Sequence, residues 1–285
     1  MSEQTEPRAE RSGQLALGQE VVVNRLGFGA MRITGQGIWG EPDDRTRAHR
    51  VLRRAVELGV NFIDTAAAYG PGVSEELISE ALHPYPADLI VATKSGFQRS
   101  GPNAWHADGR PETIRSDCER SLTLLRRETI DLYQLHTVDR NVPLEESLGT
   151  FVELQQEGKV RMIGVSNMNL EQLGRARAVA DIVSVQNRYS FSDRGSDDVL
   201  DLCERDGLVF LPWFPLAAGE LVRGAKLETV AAAHGATAAQ VAIAWLLSRS
   251  RAMLPIPGTS SVAHLEENVA AGAITLSEPE LEQLA

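Results

Sequence analysis

The chain has 285 residues, of which 43% are hydrophobic and 24% are charged, which is the composition of a water-soluble globular protein. Its formal net charge of −11 argues against a nucleic-acid partner and against binding to an anionic membrane surface. Two cysteines make no disulfide framework, no Cys/His spacing is typical of a metal site, and no apolar run is long enough to span a bilayer. We therefore expect a cytoplasmic protein that binds no metal, nucleic acid or membrane.

The first residues of the chain are polar and charged. Residues 1–13 lack the apolar stretch of a signal peptide, and we expect them to be flexible. Residues 14–23 then predict a short hairpin that turns at Gly18. No linker or shift in composition divides the rest of the chain, so residues 14–285 are expected to form a single domain.

Short apolar runs then recur along the chain at regular intervals. Most are continuous rather than alternating, as expected for strands that are covered on both faces. The predicted strands are residues 25–33, 61–65, 89–94, 130–136, 160–166, 182–187, 208–213 and 253–257.

Segments with helical periodicity separate these strands. Several of them end at a glycine just before the next strand, namely Gly59, Gly158 and Gly207. The helix predicted at 74–82 also carries acidic residues in its first turns. The predicted helices are residues 46–58, 74–82, 111–127, 143–157, 170–180, 196–205, 238–248 and 277–284, with one more beginning at Ser261.

Eight alternations of strand and helix are typical of a (β/α)8 TIM barrel, here with a short N-terminal β-hairpin. The competing topology is a doubly wound open sheet, which would need a Gly-x-Gly-x-x-Gly turn after its first strand. The segment from Gly27 to Arg32 lacks the third glycine, so the barrel is the favoured interpretation.

Four polar residues stand at or just after the ends of three successive strands: Asp64, Tyr69, Lys94 and His136. Each one alone has an ordinary explanation, such as a helix cap, a loop residue or a lysine that reaches solvent. Together they indicate a catalytic group, because the carboxyl ends of the strands of a TIM barrel meet at one mouth where its enzymes hold their chemistry.

The four side chains suit proton transfer to a carbonyl oxygen. Tyrosine has an ordinary pKa of about 10, so it needs a cation beside it to act as an acid. A charge about 4 Å away is worth roughly 4 kcal/mol at an effective dielectric of about 20, so Lys94 could lower the pKa of Tyr69 by up to about three units. Asp64 would hold Lys94 charged, and His136 would orient the carbonyl or relay a proton.

The motif Asp64-Thr65-Ala66-x-x-Tyr69-Gly70, followed by Lys94 and His136, resembles the aldo-keto reductase family, and the resemblance covers nearly the whole chain. Further blocks agree in order: Gly164–Asn167, Gln186, Pro212–Leu216 and Ile256–Thr259 with Glu267 and Asn268. The resemblance implies that Ser166, Asn167 and Gln186 hold a nicotinamide carboxamide and that Trp213 stacks on its ring. Neutral amides and a hydroxyl at strand ends suit such a group independently. The further cofactor-binding residues that it implies are Gly29, Met31, Pro215, Leu216, Ile256, Gly258, Thr259, His264, Glu267 and Asn268.

The chain departs from the family pattern in two places. Many members have a lysine after Ile-Pro and an arginine in the next helix, where this chain has Gly258 and His264, so recognition of a 2′-phosphate is weakened. NADP remains the preferred cofactor, with NAD possible. The chain stops at Ala285, whereas many members continue into a tail over the substrate. We therefore expect an open substrate pocket, formed by Trp39, Trp105 and His106.

The resemblance implies an NADP-dependent carbonyl reductase in which Tyr69 protonates an aldehyde or ketone oxygen while hydride arrives from the nicotinamide. Its partner would be a small carbonyl compound, and a monomer is expected. Two alternatives remain open. A barrel aldolase would use Lys94 as a Schiff base, and a cofactor-sensing subunit would bind NADPH but turn over slowly.

Overall fold

Apolar segments of the chain associate into three sheets in the computed structural model, which describes residues 6–216 and 225–284. In chain order the strands are β1 (Gln14–Leu17), β2 (Val21–Asn24), β3 (Phe28–Gly29), β4 (Phe62–Asp64), β5 (Ile90–Ser95), β6 (Phe97–Gly101), β7 (Ala104–Ala107), β8 (Ile130–Leu135), β9 (Val160–Ser166), β10 (Ile182–Arg188) and β11 (Val209–Trp213). β1 pairs with β2, β6 pairs with β7, and the other strands form a parallel sheet in the order β3-β4-β5-β8-β9-β10-β11.

The segment after the last regular strand closes this sheet into a barrel. Phe210 of β11 pairs in parallel with Met253, and Leu254 N–H donates to the Phe210 carbonyl at 2.9 Å. On the other side, Gly27 N–H donates to the carbonyl of Pro255 at 2.9 Å. The predicted eighth strand therefore occupies its expected place, although it is an extended segment rather than a full strand.

The first barrel strand is shorter than predicted. Only Phe28–Gly29 is a strand, and the predicted remainder at 30–33 turns into the 3₁₀ helix Ala30–Ile33. The closing segment passes so near that a Cβ on Gly29 would lie 2.6 Å from the carbonyl oxygen of Ile256. A glycine is therefore required where these two backbones meet.

Helices surround the barrel and follow most of the predicted segments within a few residues. The C-terminal glycines were predicted correctly, since Gly59, Gly158 and Gly207 all have positive φ, at 83°, 76° and 73°. The prediction missed α7, an alanine-rich helix with little amphipathic pattern. The helices are α1 (Arg45–Glu57), α2 (Val73–Leu82), α3 (Pro111–Leu125), α4 (Leu144–Gln156), α5 (Leu170–Val179), α6 (Asp197–Asp206), α7 (Ala225–His234), α8 (Ala238–Arg249), α9 (Val262–Ala270) and α10 (Glu278–Leu284).

The N-terminal hairpin packs against the interior of the barrel. Leu17, Val21 and Val23 are buried with barrel residues such as Phe62 and Leu132 in one apolar cluster. Burial of apolar surface is the main stabilising term in folding, so this hairpin covers the amino end of the barrel. The carboxyl ends of the strands are left as the mouth.

The segment before the hairpin differs from the prediction of a flexible tail. Ala9–Ser12 forms a 3₁₀ helix, Ala9 is fully buried, and its N–H donates to the carbonyl of Leu58 at 2.8 Å. Docking on the end of α1 therefore orders these residues, and residues 1–5 lie outside the described part of the chain.

Two further expectations concern the cysteines and membrane-spanning helices. Cys118 and Cys203 are free and fully buried in α3 and α6, and burial raises the pKa of each thiol to about 12. No single described helix has the length and apolar content to cross a bilayer. The pair Lys226–His234 and Ala238–Arg249, bent by 95°, passes that test by length and composition alone.

Candidate active site

The four predicted catalytic side chains meet at the mouth of the barrel. Asp64 is the last residue of β4, Lys94 lies near the end of β5, and His136 directly follows β8. These three strands are neighbours in the sheet, and Tyr69 stands in the loop between β4 and α2. All four side chains are buried, so they act on one another in surroundings of low dielectric constant.

Lys94 and Asp64 form a buried ion pair. Nζ of Lys94 donates to Oδ2 of Asp64 at 2.6 Å and to the carbonyl oxygen of Thr65 at 2.7 Å. Oδ1 of Asp64 accepts from the side-chain amides of Gln134 at 3.2 Å and Gln186 at 2.8 Å. An ammonium has three N–H donors, so Lys94 keeps one for a further acceptor.

Tyr69 stands beside this pair with a free hydroxyl. Nζ of Lys94 lies 5.2 Å from the centroid of the Tyr69 ring. The ring is edge-on to the rings of His136 and Trp105, with centroids 5.8 Å and 6.3 Å away. Within the described residues the Tyr69 hydroxyl has no hydrogen-bond partner, and the residue lines the cavity at the mouth. The hydroxyl is therefore available to a ligand.

Burial fixes the protonation states of the two aromatic groups. It holds the pKa of Tyr69 well above the usual value; the charge of Asp64 acts in the same direction, and that of Arg99 opposes it. The predicted decrease in the pKa of Tyr69 is therefore not found, because burial, with the charge of Asp64 acting in the same direction, raises this pKa. Burial, assisted by the Lys94 charge, holds the pKa of His136 well below its ordinary value. At neutral pH the phenol is protonated and the imidazole is neutral.

A cavity of about 540 Å³ opens over these groups, and half of the residues that line it have aromatic rings. Nδ1 of His136 is buried and has no hydrogen-bond partner among the described residues. The lining residues are Met31, Ile38, Tyr69, Phe97, Trp105, His136, Thr137, Ser166, Asn167, Gln186, Trp213 and Phe214.

Only one of the three residues predicted to form the substrate pocket lines the cavity. Trp105 of β7 is part of the cavity wall, whereas Trp39 and His106 are not among the lining residues. The backbone of Trp39 pairs with that of Gly70, and the centroid of the Trp39 ring lies 5.8 Å from the guanidinium carbon of Arg99. His106 follows Trp105 on the strand and therefore faces the other way, where its Nε2 lies 2.7 Å from the hydroxyl of Ser100.

The predicted carboxamide-binding residues lie side by side in the wall of the cavity. Nε1 of Trp213 donates to Oδ1 of Asn167 at 3.0 Å, and Nδ2 of Asn167 donates to the carbonyl of His136 at 2.9 Å. Nε2 of Gln186 donates to Asp64, while the side-chain oxygen Oε1 of Gln186 has no partner in the described residues. Asn167 has a left-handed φ of 59°, a strained conformation that is common where ligands bind.

The further residues predicted to bind the cofactor divide into two groups. A second cavity, which shares Met31, Tyr69, Gln186, Trp213 and Phe214 with the first, extends away from the catalytic group. Its walls include Gly29, Pro215, Leu216, Ile256 and Gly258.

The remaining four residues lie in or before α9. Thr259 is buried, and its hydroxyl accepts from the N–H of Ser261 at 3.0 Å. His264 is exposed, and the carboxylate of Glu267 accepts from Thr237 at 2.5 Å, so Glu267 is already engaged. The side chain of Asn268 is buried, and its amide has no partner among the described residues.

These residues fit a nicotinamide dinucleotide. Gln186 offers an unpaired amide oxygen, Trp213 offers a flat apolar face, and the two connected cavities form a path from Tyr69 to Gly258. The N-terminus of α9, capped by Ser261, lies beyond Gly258 and favours phosphate groups. In the described residues no cluster of three or more His, Cys, Asp or Glu side chains could hold a metal ion.

Several residues of the site were missed by the sequence interpretation: Ile38, Phe97, Thr137, Phe214 and Arg99. Phe97 and Arg99 belong to the hairpin of β6 and β7, which is not among the predicted strands. A turn around Gly101-Pro102-Asn103 between segments rich in aromatic residues was a usable signal for that hairpin.

Comparison with known proteins agrees with this geometry. The sequence profile of the Aldo/keto reductase family matches residues 25–285. An uncharacterised oxidoreductase of Schizosaccharomyces pombe is 45% identical over 270 residues, which cover 94% of this chain and 88% of that protein. Pyridoxine 4-dehydrogenase of Escherichia coli is 44% identical over 268 residues, which cover 92% of this chain and 94% of that enzyme.

Solved structures give the same result. Glycerol dehydrogenase of Gluconobacter oxydans superposes with a TM-score of 0.87 at 29% identity, covering 96% of this chain and 94% of that one. An aldo-keto reductase of Klebsiella pneumoniae, solved in complex with NADPH, superposes with a TM-score of 0.82 at 28% identity, covering 95% and 93%. The chain therefore belongs to the aldo-keto reductase family and is an NAD(P)-dependent oxidoreductase.

Proposed function

We propose that this protein is an NADP-dependent carbonyl reductase that converts aldehydes or ketones to alcohols, with Tyr69 as the general acid. The observation that carries the proposal is the free, protonated hydroxyl of Tyr69, which lines the cavity beside the Lys94–Asp64 pair. A general acid must hold its proton at working pH and present it to the reacting oxygen, and this phenol meets both requirements.

Each of the four residues has a distinct task in this mechanism. A bound dinucleotide would supply the hydride from its nicotinamide ring. The substrate oxygen accepts a hydrogen bond from Tyr69, and neutral His136 orients it from the neighbouring wall. As Tyr69 gives up its proton, the remaining N–H of Lys94 becomes a donor to the phenolate oxygen. Asp64 keeps Lys94 charged and fixed, which avoids reorganisation during the reaction.

The walls of the cavity favour a flat aromatic substrate. Phe97, Trp105, Trp213 and Phe214 surround the catalytic group, and aromatic rings bind well against one another in offset or edge-on contact. The relative from Escherichia coli is named for action on pyridoxine, an aromatic alcohol. We therefore propose planar aromatic aldehydes, including pyridoxal, as the preferred class. A kcat/KM higher for pyridoxal than for an aliphatic aldehyde of equal size supports this choice, and the reverse order contradicts it.

A cation for the phosphates of NADP is available although Gly258 and His264 replace the usual basic residues. Arg32 is exposed, lines the adenosine-end cavity and has no ion pair among the described residues. Its Cγ lies 3.7 Å from the position that a Cβ on Gly258 would take. We expect Arg32→Gln to weaken NADPH binding about tenfold, measured by quenching of tryptophan fluorescence. NADH affinity should change less if Arg32 meets the 2′-phosphate; equal losses would assign it to the shared diphosphate.

The direct test of the mechanism is Tyr69→Phe. The variant keeps the ring and its packing but removes the proton, so kcat for reduction should fall by about 10²–10⁴-fold. NADPH affinity should stay within about twofold of wild type. The lost hydroxyl lies outside the cofactor contacts, so its removal should change the binding free energy by only a few tenths of a kcal/mol. Near-normal turnover by Tyr69→Phe would reject Tyr69 as the acid.

The aldolase alternative is disfavoured by the state of Lys94. A Schiff-base lysine must attack as a free amine, whereas this amine is fully buried and donates to Asp64 and Thr65. Borohydride in the presence of a carbonyl substrate should therefore leave Lys94 unmodified, as peptide mass spectrometry would report. Slow turnover with tight NADPH binding would instead favour a cofactor-sensing protein.

A further inference from the structure

Arg99 of strand β6 is held by an unusual set of partners. Among the residues that the structure describes, its guanidinium donates only to backbone carbonyl oxygens, and these come from three separate segments of the mouth. Nε donates to Ala104 at 3.1 Å, Nη1 to Ile38 at 2.8 Å and Ala68 at 3.1 Å, and Nη2 to Gly37 at 2.9 Å and Gly101 at 3.2 Å. The side chain therefore ties the loop after β3, the loop that carries Tyr69 and the β6–β7 hairpin into one unit.

The charge of Arg99 is not neutralised. Carbonyl oxygens satisfy its N–H groups, but they carry no net charge, and no carboxylate in the described residues forms an ion pair with it. Its guanidinium carbon lies 3.8 Å from the centroid of the Trp105 ring and 5.8 Å from that of Trp39, so the positive charge is held against aromatic faces.

Arg99 influences the position of Tyr69 through two of its neighbours. Ala68, whose carbonyl Arg99 holds, is the residue immediately before Tyr69. Trp105, against which Arg99 stacks, stands edge-on to Tyr69 with ring centroids 6.3 Å apart. Removing Arg99 would therefore loosen both the loop that bears the phenol and the ring that packs on it.

The charged and titratable groups that face the phenol are Asp64, Lys94, His136 and Arg99. Asp64 cancels the charge of Lys94, and His136 is neutral, so Arg99 provides the uncompensated positive charge. In agreement, the charge of Arg99 lowers the pKa of Tyr69 against the effects of burial and Asp64.

We infer that Arg99 is a positioning residue of this site, which fixes Tyr69 and Trp105 and supplies the unpaired positive charge that stabilises the phenolate formed during reduction. The inference depends on the proposed function. In that reaction hydride adds with its electron pair to the carbonyl carbon, and the oxygen takes the proton of Tyr69. The phenolate left behind then regains a proton from water. A nearby uncompensated cation favours this charged intermediate.

Three variants test the inference by the pH dependence of turnover with pyridoxal and NADPH. Arg99→Met removes the charge, so kcat should fall about tenfold and its basic inflection should move up by about one pH unit. Arg99→Lys keeps the charge but loses the planar stacking and the fork of donors, so its inflection should match wild type while KM rises. Arg115→Met, on the outer surface of α3 where Glu153 and Glu157 pair with Arg115, makes the same change in net charge and should leave both parameters unchanged.

The possible failures can be told apart. If Arg99→Met keeps the wild-type kcat and inflection, or if Arg99→Lys moves the inflection as far as Arg99→Met does, the role of Arg99 is overturned while the proposed function stands. If wild type shows no NADPH-dependent reduction of any aldehyde, both are overturned. Should Arg99→Met fail to fold by circular dichroism, Arg99→Gln takes its place, because it is also uncharged and can still donate to one carbonyl.

Discussion

The two faces of strand β5 both direct polar side chains into buried surroundings, but these side chains meet different partners. Toward the barrel interior, Lys94 pairs with Asp64 at 2.6 Å. Toward the helices, Thr93 donates to Glu75 of α2 at 2.6 Å, and Ser95 donates to Asp117 of α3 at 2.6 Å. Successive residues of a strand point to opposite faces, which explains why one strand serves both regions.

On the interior side of β5 the buried carboxylate is paired with a cation, whereas the buried carboxylates on the helix side are not, in the part of the chain that the structure describes. Asp64 accepts from an ammonium and two amides, while Glu75 accepts only from a hydroxyl and its Oε2 has no partner in the described residues. Burial accordingly raises the pKa of Glu75 from 4.5 to about 6 and also raises the pKa of Asp117. Both faces of β5 therefore meet buried carboxylates, but of Asp64, Glu75 and Asp117 only Asp64 forms an ion pair within the described residues.

The largest effect should come from breaking the inner pair. Lys94→Met leaves Asp64 charged, buried and unpaired, which should cost about 3–5 kcal/mol of the free energy of unfolding and abolish reduction. Urea denaturation would measure the loss. The double variant Asp64→Asn/Lys94→Met leaves no charge buried and should recover much of the stability without the activity. A single variant as stable as wild type would show that the pair is not buried as described.

A smaller effect of opposite sign is expected at Glu75. The pKa of Glu75 is higher in the folded than in the unfolded protein. The carboxyl group therefore contributes most to the free energy of unfolding below pH about 4.5. This contribution is lost as the pH rises to about 6 and stays lost above that. Glu75→Gln removes this loss and places an amide near the unpaired hydroxyl of Ser121. Stability at pH 7.5 should rise by up to about 2 kcal/mol.

Denaturation of both proteins between pH 4 and 8 checks the Glu75 prediction. The stability curves should coincide near pH 4 and separate between pH about 4.5 and about 6, the window between the two pKa values. A constant difference at every pH would indicate altered packing rather than titration. Activity is the second control, because the Glu75 charge also favours the charged form of Lys94. A fall in kcat would reveal that the two faces are electrostatically coupled.

The smallest effect is expected at Asp117. Burial raises the pKa of this carboxyl, but Ser95 and Gln98 both donate to its Oδ2, at 2.6 Å and 3.0 Å, and oppose the shift. Asp117→Asn keeps an oxygen for both donors and should increase stability at neutral pH by less than Glu75→Gln does. The same denaturation series measures it. A gain equal to or larger than that of Glu75→Gln would contradict the ranking by hydrogen-bond compensation.

The amino-acid sequence by itself determined the barrel and the four central residues of the site. Apolar runs, helical periods and terminal glycines are local signals, and eight alternations of strand and helix allow few architectures. Once the strands are parallel, residues at their carboxyl ends must converge. Asp64, Lys94 and His136 could therefore be placed together without coordinates.

Only the tertiary structure decided the environment of each group. Glu75 was predicted only as an acidic residue in the first turn of a helix, whereas packing of α2 on β5 buries it. Trp39 and His106 were expected in the pocket, but neither is among the residues that line the cavity. Arg99 takes its partners from residues up to 62 positions away in sequence, which no local pattern encodes. Burial and charge compensation are sums over distant neighbours, so they appear only when the chain is folded.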